Sequence, residues 1–128
     1  MPLVRISLRR GKAANYHAAL RDGIYSAMRK TFSVPEGDCF ILVHEHDETT
    51  FFVDPDYLGI HRTEDAVVIQ ITCNDTRTVE QKKALYATIT RNLGDAPGVK
   101  PGDVFINLVE VKPENWSFGN GLAPYAGK

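Results

Sequence analysis

Val34-Pro35-Glu36-Gly37-Asp38-Cys39-Phe40-Ile41-Leu42-Val43-His44-Glu45 decides the fold. A slide of 65 positions lays it over Val99-Lys100-Pro101-Gly102-Asp103-Val104-Phe105-Ile106-Asn107-Leu108-Val109-Glu110. Val, Gly, Asp, Phe, Ile and Glu coincide at that offset. The same shift carries Leu20, Ile24 and Met28 onto Leu85, Ile89 and Leu93, and the run Leu3 to Leu8 onto Val68 to Cys73. One offset serving three separate segments is the mark of a duplicated unit. The pseudo-repeats cover about residues 2–46 and 67–111, and a tail follows from 112 to 128.

Each unit has the same grammar. Leu3 to Leu8 and Val67 to Cys73 are short runs rich in β-branched residues and read as strands. Tyr16, Leu20, Ile24 and Met28 recur every four residues, as do Gln81, Leu85, Ile89 and Leu93, giving one apolar stripe on each of two helices. Thr78-Val79-Glu80-Gln81 is a capping box at the start of the second helix. Cys39 to Glu45 and Val104 to Val111 close the units as strands, each introduced by a Gly-Asp turn. A helix between two strands makes a parallel crossover. The expectation is a single α/β (α+β) domain, a duplicated β-α-β unit with a four-stranded mixed sheet and two helices on one face. Two helices cover only one face of such a sheet, so self-association is expected to cover the other. Residues 47–65 join the units, a connection long enough to carry short structure or function.

Composition narrows the function. The 128 residues include 43% hydrophobic and 24% charged side chains, with 15 basic and 16 acidic groups. That balance supports one packed domain and lacks the basic excess of a nucleic-acid binder. No apolar run approaches the roughly 18 residues of a membrane span, and no signal-peptide core follows Met1. A cytoplasmic protein is expected, with no nucleic-acid or membrane partner. Cys39 and Cys73 form neither a disulfide framework nor a zinc pattern, and both read as reduced core residues.

Several residues carry candidate chemistry. Removal of Met1 leaves Pro2 with a free secondary amine at the head of a core strand. Such an amine titrates near neutrality and serves as acid, base or nucleophile. Arg77, in Asn74-Asp75-Thr76-Arg77-Thr78, lies between a strand end and a helix start. A guanidinium there suits a small carboxylate, although a surface pair with Asp75 accounts for it equally. Asp38 opens the second strand; its repeat mate Asp103 makes an Asx turn in both units the plainer reading. His44 and His46 share a strand face, but no third ligand is placed by spacing. Trp116 and Phe118 put two rings near the C-terminus, as a packing clamp or a pocket wall.

Pro2-Leu3, the 65-residue repeat, Val34-Pro35-Glu36-Gly37-Asp38, Arg77-Thr78-Val79-Glu80-Gln81-Lys82 and Trp116-Ser117-Phe118-Gly119 together resemble the tautomerase superfamily. The similarity is nearest to its malonate semialdehyde decarboxylase branch and runs from Pro2 to about Tyr125. The resemblance implies a homotrimer with an amino-terminal proline in each pocket. In that branch the proline is protonated and acts as acid or electrophile on a 3-oxo acid, releasing carbon dioxide. Pro2 would then be the catalytic amine, Asp38 would hold or tune it, and Arg77 would bind the carboxylate. Trp116 and Phe118 would wall the pocket, and no cofactor or metal is required. Some decarboxylases of the branch carry a second arginine where this chain has Asp75.

The expected function is therefore a cofactor-independent enzyme acting on a small 2-oxo or 3-oxo carboxylate. Decarboxylation is placed first, with possible hydratase or tautomerase activity. The alternatives are a keto–enol tautomerase of phenylpyruvate or 4-oxalocrotonate type, and a catalytically silent trimeric binding module. Retention of Met1 would leave Pro2 a tertiary amide and favour the last.

Overall fold

In a computed structural model of the chain, residues 2–126 are described. Four strands and two helices follow one another as β1 (Leu3–Arg9), α1 (Ala14–Phe32), β2 (Ile41–His46), β3 (Val67–Asn74), α2 (Val79–Asp95) and β4 (Val104–Val111). The sheet order is β2-β1-β3-β4. β1 pairs parallel with β2 and β3 parallel with β4, while the central β1–β3 pair is antiparallel. Each unit is thus a parallel β-α-β module, and the two are joined back to front through their first strands. The duplicated unit and mixed sheet expected from the repeat are what the chain forms.

Alternation within the strands decides what the helices cover. Val4, Ile6 and Leu8 from β1 and Val67, Ile69, Ile71 and Cys73 from β3 are buried. They pack with Leu20, Ile24 and Met28 of α1 and Leu85, Ile89 and Leu93 of α2, so the four-residue stripes enter one core. Val34 and Val99, the repeat-related residues before the closing strands, are both buried there. The helices also touch each other. Gly23 of α1 lies where a Cβ would stand 2.9 Å from Leu93 Cδ2, and the Asn92 side-chain amide donates to the Gly23 carbonyl at 3.0 Å. Close helix approach explains this glycine in a helix interior, where its propensity is poor.

α2 opens as its sequence requires. The Thr78 hydroxyl accepts from the Gln81 N–H at 3.1 Å, and the Gln81 side chain accepts from the Thr78 N–H at 2.8 Å. Gln81 therefore leaves the apolar stripe to complete the cap. β2 departs from expectation in a similar way: it starts at Ile41, two residues later than the apolar run suggested. Cys39 falls between the preceding turn and the strand and is exposed, so it is not a core residue, whereas Cys73 is. An edge strand buries only its inner partner-facing length, and periodicity alone does not show where pairing begins.

The connection at 47–65 carries one short 3-10 turn, Tyr57–Gly59. It buries Phe51 and leaves Phe52 exposed. On the sheet face away from the helices, Phe40, Leu42, Phe105 and Val109 stand exposed. Among the described residues no helix is long and apolar enough to cross a membrane.

Candidate functional site

Two strand registers converge on Pro2, which is itself buried. Leu3 pairs with Thr72 across the antiparallel ladder, so one further step sets Pro2 level with Cys73. On the other side Val4 pairs with Ile41, and the Val4 N–H donates to the Phe40 carbonyl at 2.9 Å. The segment leading into β2, which begins with Asp38, thus runs beside the start of β1.

The turn that delivers Asp38 is held from three directions. The Asp38 N–H donates to the Pro35 carbonyl at 3.2 Å. Gly37, third residue of that turn, has φ of +86°, the left-handed conformation that a type II turn reserves for glycine. Tyr25 of α1 completes the clamp: its hydroxyl donates to the Pro35 carbonyl at 3.1 Å and accepts from the Gly37 N–H at 3.0 Å. Oδ1 of the half-buried Asp38 side chain is itself buried without a hydrogen-bond partner. An unpaired carboxylate oxygen withdrawn from water carries a desolvation cost, and a nearby cation would offset it.

Its repeat mate behaves differently. Asp103 is buried, and its two oxygens accept from the Thr63 N–H at 2.7 Å and the Thr63 hydroxyl at 2.6 Å. The Asx-turn reading fails for both residues. Among the described hydrogen bonds, neither carboxylate closes a turn on its own backbone; Asp103 ties down the inter-unit connection instead.

Arg77 is not the surface partner of Asp75. Its Nη2 donates to the Phe32 carbonyl at 3.0 Å, and its guanidinium lies 4.8 Å from the centre of the Phe32 ring. A weaker bond of 3.4 Å reaches the Thr76 hydroxyl. The Phe32 carbonyl belongs to the last residue of α1, where unpaired acceptors and the helix dipole favour a cation. Arg77 is thus held half-buried between the end of α1 and the start of α2. Its charge reaches the Cys73 thiol beside Pro2. Burial raises that thiol's pKa, and the Arg77 charge opposes the rise.

The C-terminal aromatics join the same junction. The Trp116 indole N–H donates to Asn74 Oδ1 at 2.7 Å, at the end of β3 and three residues before Arg77. Phe118 stacks on Trp116 at 5.4 Å, and Tyr125 meets the Phe118 ring edge-on at 5.2 Å. Asn74, Trp116 and Phe118 thus meet at the end of β3, with Arg77 three residues further along the chain. Sequence reasoning missed Asn74, Tyr25 and Phe32. Only Asn74 stood in a stretch already singled out; the other two act through contacts that no local pattern announces.

The repeat makes a second β-α junction at the far end of the sheet. A cavity of about 180 Å³ lies there, lined in part by Arg9, Lys12, Tyr16, Glu64 and Asp65. Lys12 holds the place that Arg77 holds in the second unit, but it pairs with Asp65 at 2.8 Å, and Arg9 approaches Glu64 at 3.7 Å. Val67 stands where Pro2 stands and is an internal residue without an amine. The duplicated scaffold thus presents two junctions, and at the far one Lys12 and Arg9 are matched by Asp65 and Glu64. His44 accepts from Arg5 and His46 contacts Thr50; among the described residues no metal-ligating cluster forms.

Comparison with known proteins finds relatives in sequence and in fold. A family model described as a tautomerase enzyme matches residues 38–119, and a second of the same description matches residues 2–60. A probable tautomerase of Bacillus subtilis (strain 168), YusQ, is 41% identical over 96% of this chain and 97% of its own length. Another from the same organism, YrdN, is 31% identical over 98% and 96%. Among solved structures, a malonate semialdehyde decarboxylase inhibited by 3-bromopropiolate superposes with a TM-score of 0.89. It is 32% identical, over 96% of this chain and 93% of that one. A second malonate semialdehyde decarboxylase, described for its decarboxylase and hydratase activities, gives 0.90 at 30% identity over 96% and 95%.

Proposed function

The chain belongs to the tautomerase superfamily and is an enzyme of that kind; from that premise we propose that it uses Pro2, freed by loss of Met1, on a small 2-oxo or 3-oxo carboxylate. Decarboxylation of a 3-oxo acid such as malonate semialdehyde is the first reading. The observation that carries it is the buried, unpartnered Asp38 oxygen in the segment that runs beside the start of β1, for which we take the Pro2 nitrogen to be the partner. A carboxylate in that place favours the charged amine over the free one.

The chemistry follows from the three groups. Arg77 holds the substrate carboxylate by charge-assisted hydrogen bonds. The Pro2 ammonium donates to the 3-oxo oxygen and polarises it. The bond from the α-carbon to the carboxylate breaks, its electron pair moves into the polarised carbonyl, and carbon dioxide departs. The resulting enolate takes a proton from the Pro2 ammonium and leaves as the aldehyde. No cofactor enters this sequence. Trp116 and Phe118 wall the pocket and exclude water.

A second reading is keto–enol tautomerisation, favoured by the name of the relative at 41% identity. It requires Pro2 as the free base at neutral pH. We further propose that the chain self-associates, because the uncovered sheet face exposes Phe40, Leu42, Phe105 and Val109, which water disfavours and association would bury; a homotrimer is what the family resemblance implies, and a cytoplasmic location is proposed from the sequence reading. The test is a screen of mass-verified protein lacking Met1 against malonate semialdehyde, phenylenolpyruvate and 2-hydroxymuconate. Turnover of the first above the others supports decarboxylation. Turnover of the enols alone promotes the tautomerase, and turnover of none contradicts both.

A further inference from the structure

Asp38 and Asp103 stand at repeat-related positions before the two closing strands, and their turns share one backbone bond. The Asp38 N–H donates to the Pro35 carbonyl at 3.2 Å, as the Asp103 N–H donates to the Lys100 carbonyl at 2.9 Å. Beyond that bond the two turns are anchored by different groups. In the second unit the aspartate itself is the anchor, with both oxygens taken by Thr63. Thr90, the repeat mate of Tyr25, donates back to the Tyr86 carbonyl of its own helix at 2.8 Å.

In the first unit a helix side chain is the anchor. The Tyr25 hydroxyl donates to the Pro35 carbonyl and accepts from the Gly37 N–H, so one oxygen bridges the backbone of the turn. The ring that carries it packs against the core, and Arg29, one helical turn on, sets its guanidinium 5.9 Å from the ring centre. The turn is therefore held without the Asp38 carboxylate, whose Oδ1 stays buried and unpaired. The same helix ends at Phe32, whose carbonyl holds Arg77. α1 thus fixes both the arginine and the turn that bears the aspartate.

We propose that Tyr25 is a positioning residue: by anchoring the turn in place of the carboxylate, it leaves Asp38 free to face the Pro2 amine. Asp103 has no such substitute, and its carboxylate is engaged in the fold. The proposal rests on the reading of Asp38 as the partner of Pro2, and its test separates the two.

Nitrogen-15 titrations of the Pro2 amine, in protein verified by mass to lack Met1, are compared for wild type, Tyr25→Phe, Asp38→Asn and the double variant. Tyr25→Phe keeps the ring and removes only the bridging oxygen. It is expected to lower the Pro2 pKa by about half of the fall seen in Asp38→Asn, and to add nothing in the Asp38→Asn background. Thr90→Val, which deletes the repeat-related hydroxyl, should leave the Pro2 pKa unmoved, which separates positioning from a general loss of stability. In the wild type the Gly37 amide should exchange with solvent at least about tenfold more slowly than an unstructured amide, a measurement that stands even if Tyr25→Phe does not fold. An unchanged pKa in Tyr25→Phe, an equal fall in Thr90→Val, additive shifts in the double variant or an unprotected Gly37 amide overturns the proposal and leaves the Asp38 reading standing. If Asp38→Asn itself leaves the pKa unmoved, both fall together.

Discussion

At the scale of single residues, repeat-related positions have parted in use, and stability and activity should part with them. Asp103 satisfies two donors of Thr63, so Asp103→Ala leaves a buried N–H and hydroxyl unpaired. A loss of about 2–3 kcal/mol is expected in urea denaturation at one fixed protein concentration, with kcat/KM of the folded enzyme within about twofold of wild type. Asp38→Ala removes an oxygen that already lacks a partner. It should cost less than about 1 kcal/mol of stability and yet impair turnover. Equal stability losses at the two positions would return Asp38 to a purely structural role. Arg77→Ala should lower kcat/KM for carboxylate substrates by about 2–4 kcal/mol, and Arg77→Lys should recover only part because the planar fork is lost. A change within threefold would remove Arg77 from the site. The cysteines also separate: Cys39 is exposed and Cys73 buried, so a thiol reagent should label one group in the native protein and two in denaturant. Desolvation raises the Cys39 thiol's pKa, and its labelling should therefore accelerate as pH rises above neutral.

At the scale of elements, the stripes and the capping box were readable because helical periodicity and first-turn chemistry are local. Leu20, Ile24 and Met28, with Leu85, Ile89 and Leu93, all reached the core. Thr78→Ala should destabilise the protein by about 1 kcal/mol. Since α2 starts one residue after that cap and Arg77 lies one residue before it, KM should rise with it. What local patterns left unread is the meeting of distant segments. Gly-Asp introduces both closing strands, yet only Asp103 finds Thr63, 40 residues away. Gly102 shows how tight that meeting is, for a Cβ there would lie 2.5 Å from the His61 carbonyl oxygen. Gly102→Ala should cost about 1–3 kcal/mol by overpacking, and an unchanged midpoint would mean that the 47–65 connection yields freely. Cys39 was misjudged for a related reason: an apolar run does not reveal at which residue an edge strand begins to pair.

At the scale of the whole molecule, the duplication was legible from one offset, and with it the two β-α-β modules and the bare sheet face. The division of labour between the modules was only half legible. Pro2 and Arg77 stand out as residue types. The closing of the other junction by Lys12–Asp65 appears only when β1, α1 and the connection are brought together. The bare face predicts self-association and the family resemblance a trimer, so sedimentation at micromolar concentration should show three chains per particle. A stable monomer would contradict the assembly, and a charged substitution such as Leu42→Lys should weaken association if that face is the contact.

The central claim is that Asp38 holds Pro2 as an ammonium. A nitrogen-15 NMR titration of the Pro2 amine, in protein verified by mass to lack Met1, tests it directly. An isolated terminal amine titrates near 7.7–8, and a neighbouring carboxylate raises such a group by about 1–3 units. The proton, and with it decarboxylation, should persist through neutral pH and be lost only as pH climbs through that raised value. Asp38→Asn should move the same limb to lower pH. The account predicts a wild-type pKa above about 8 that falls in Asp38→Asn; a value near 6 would contradict it and make Pro2 a base, and a value unmoved by Asp38→Asn would take Asp38 out of the site.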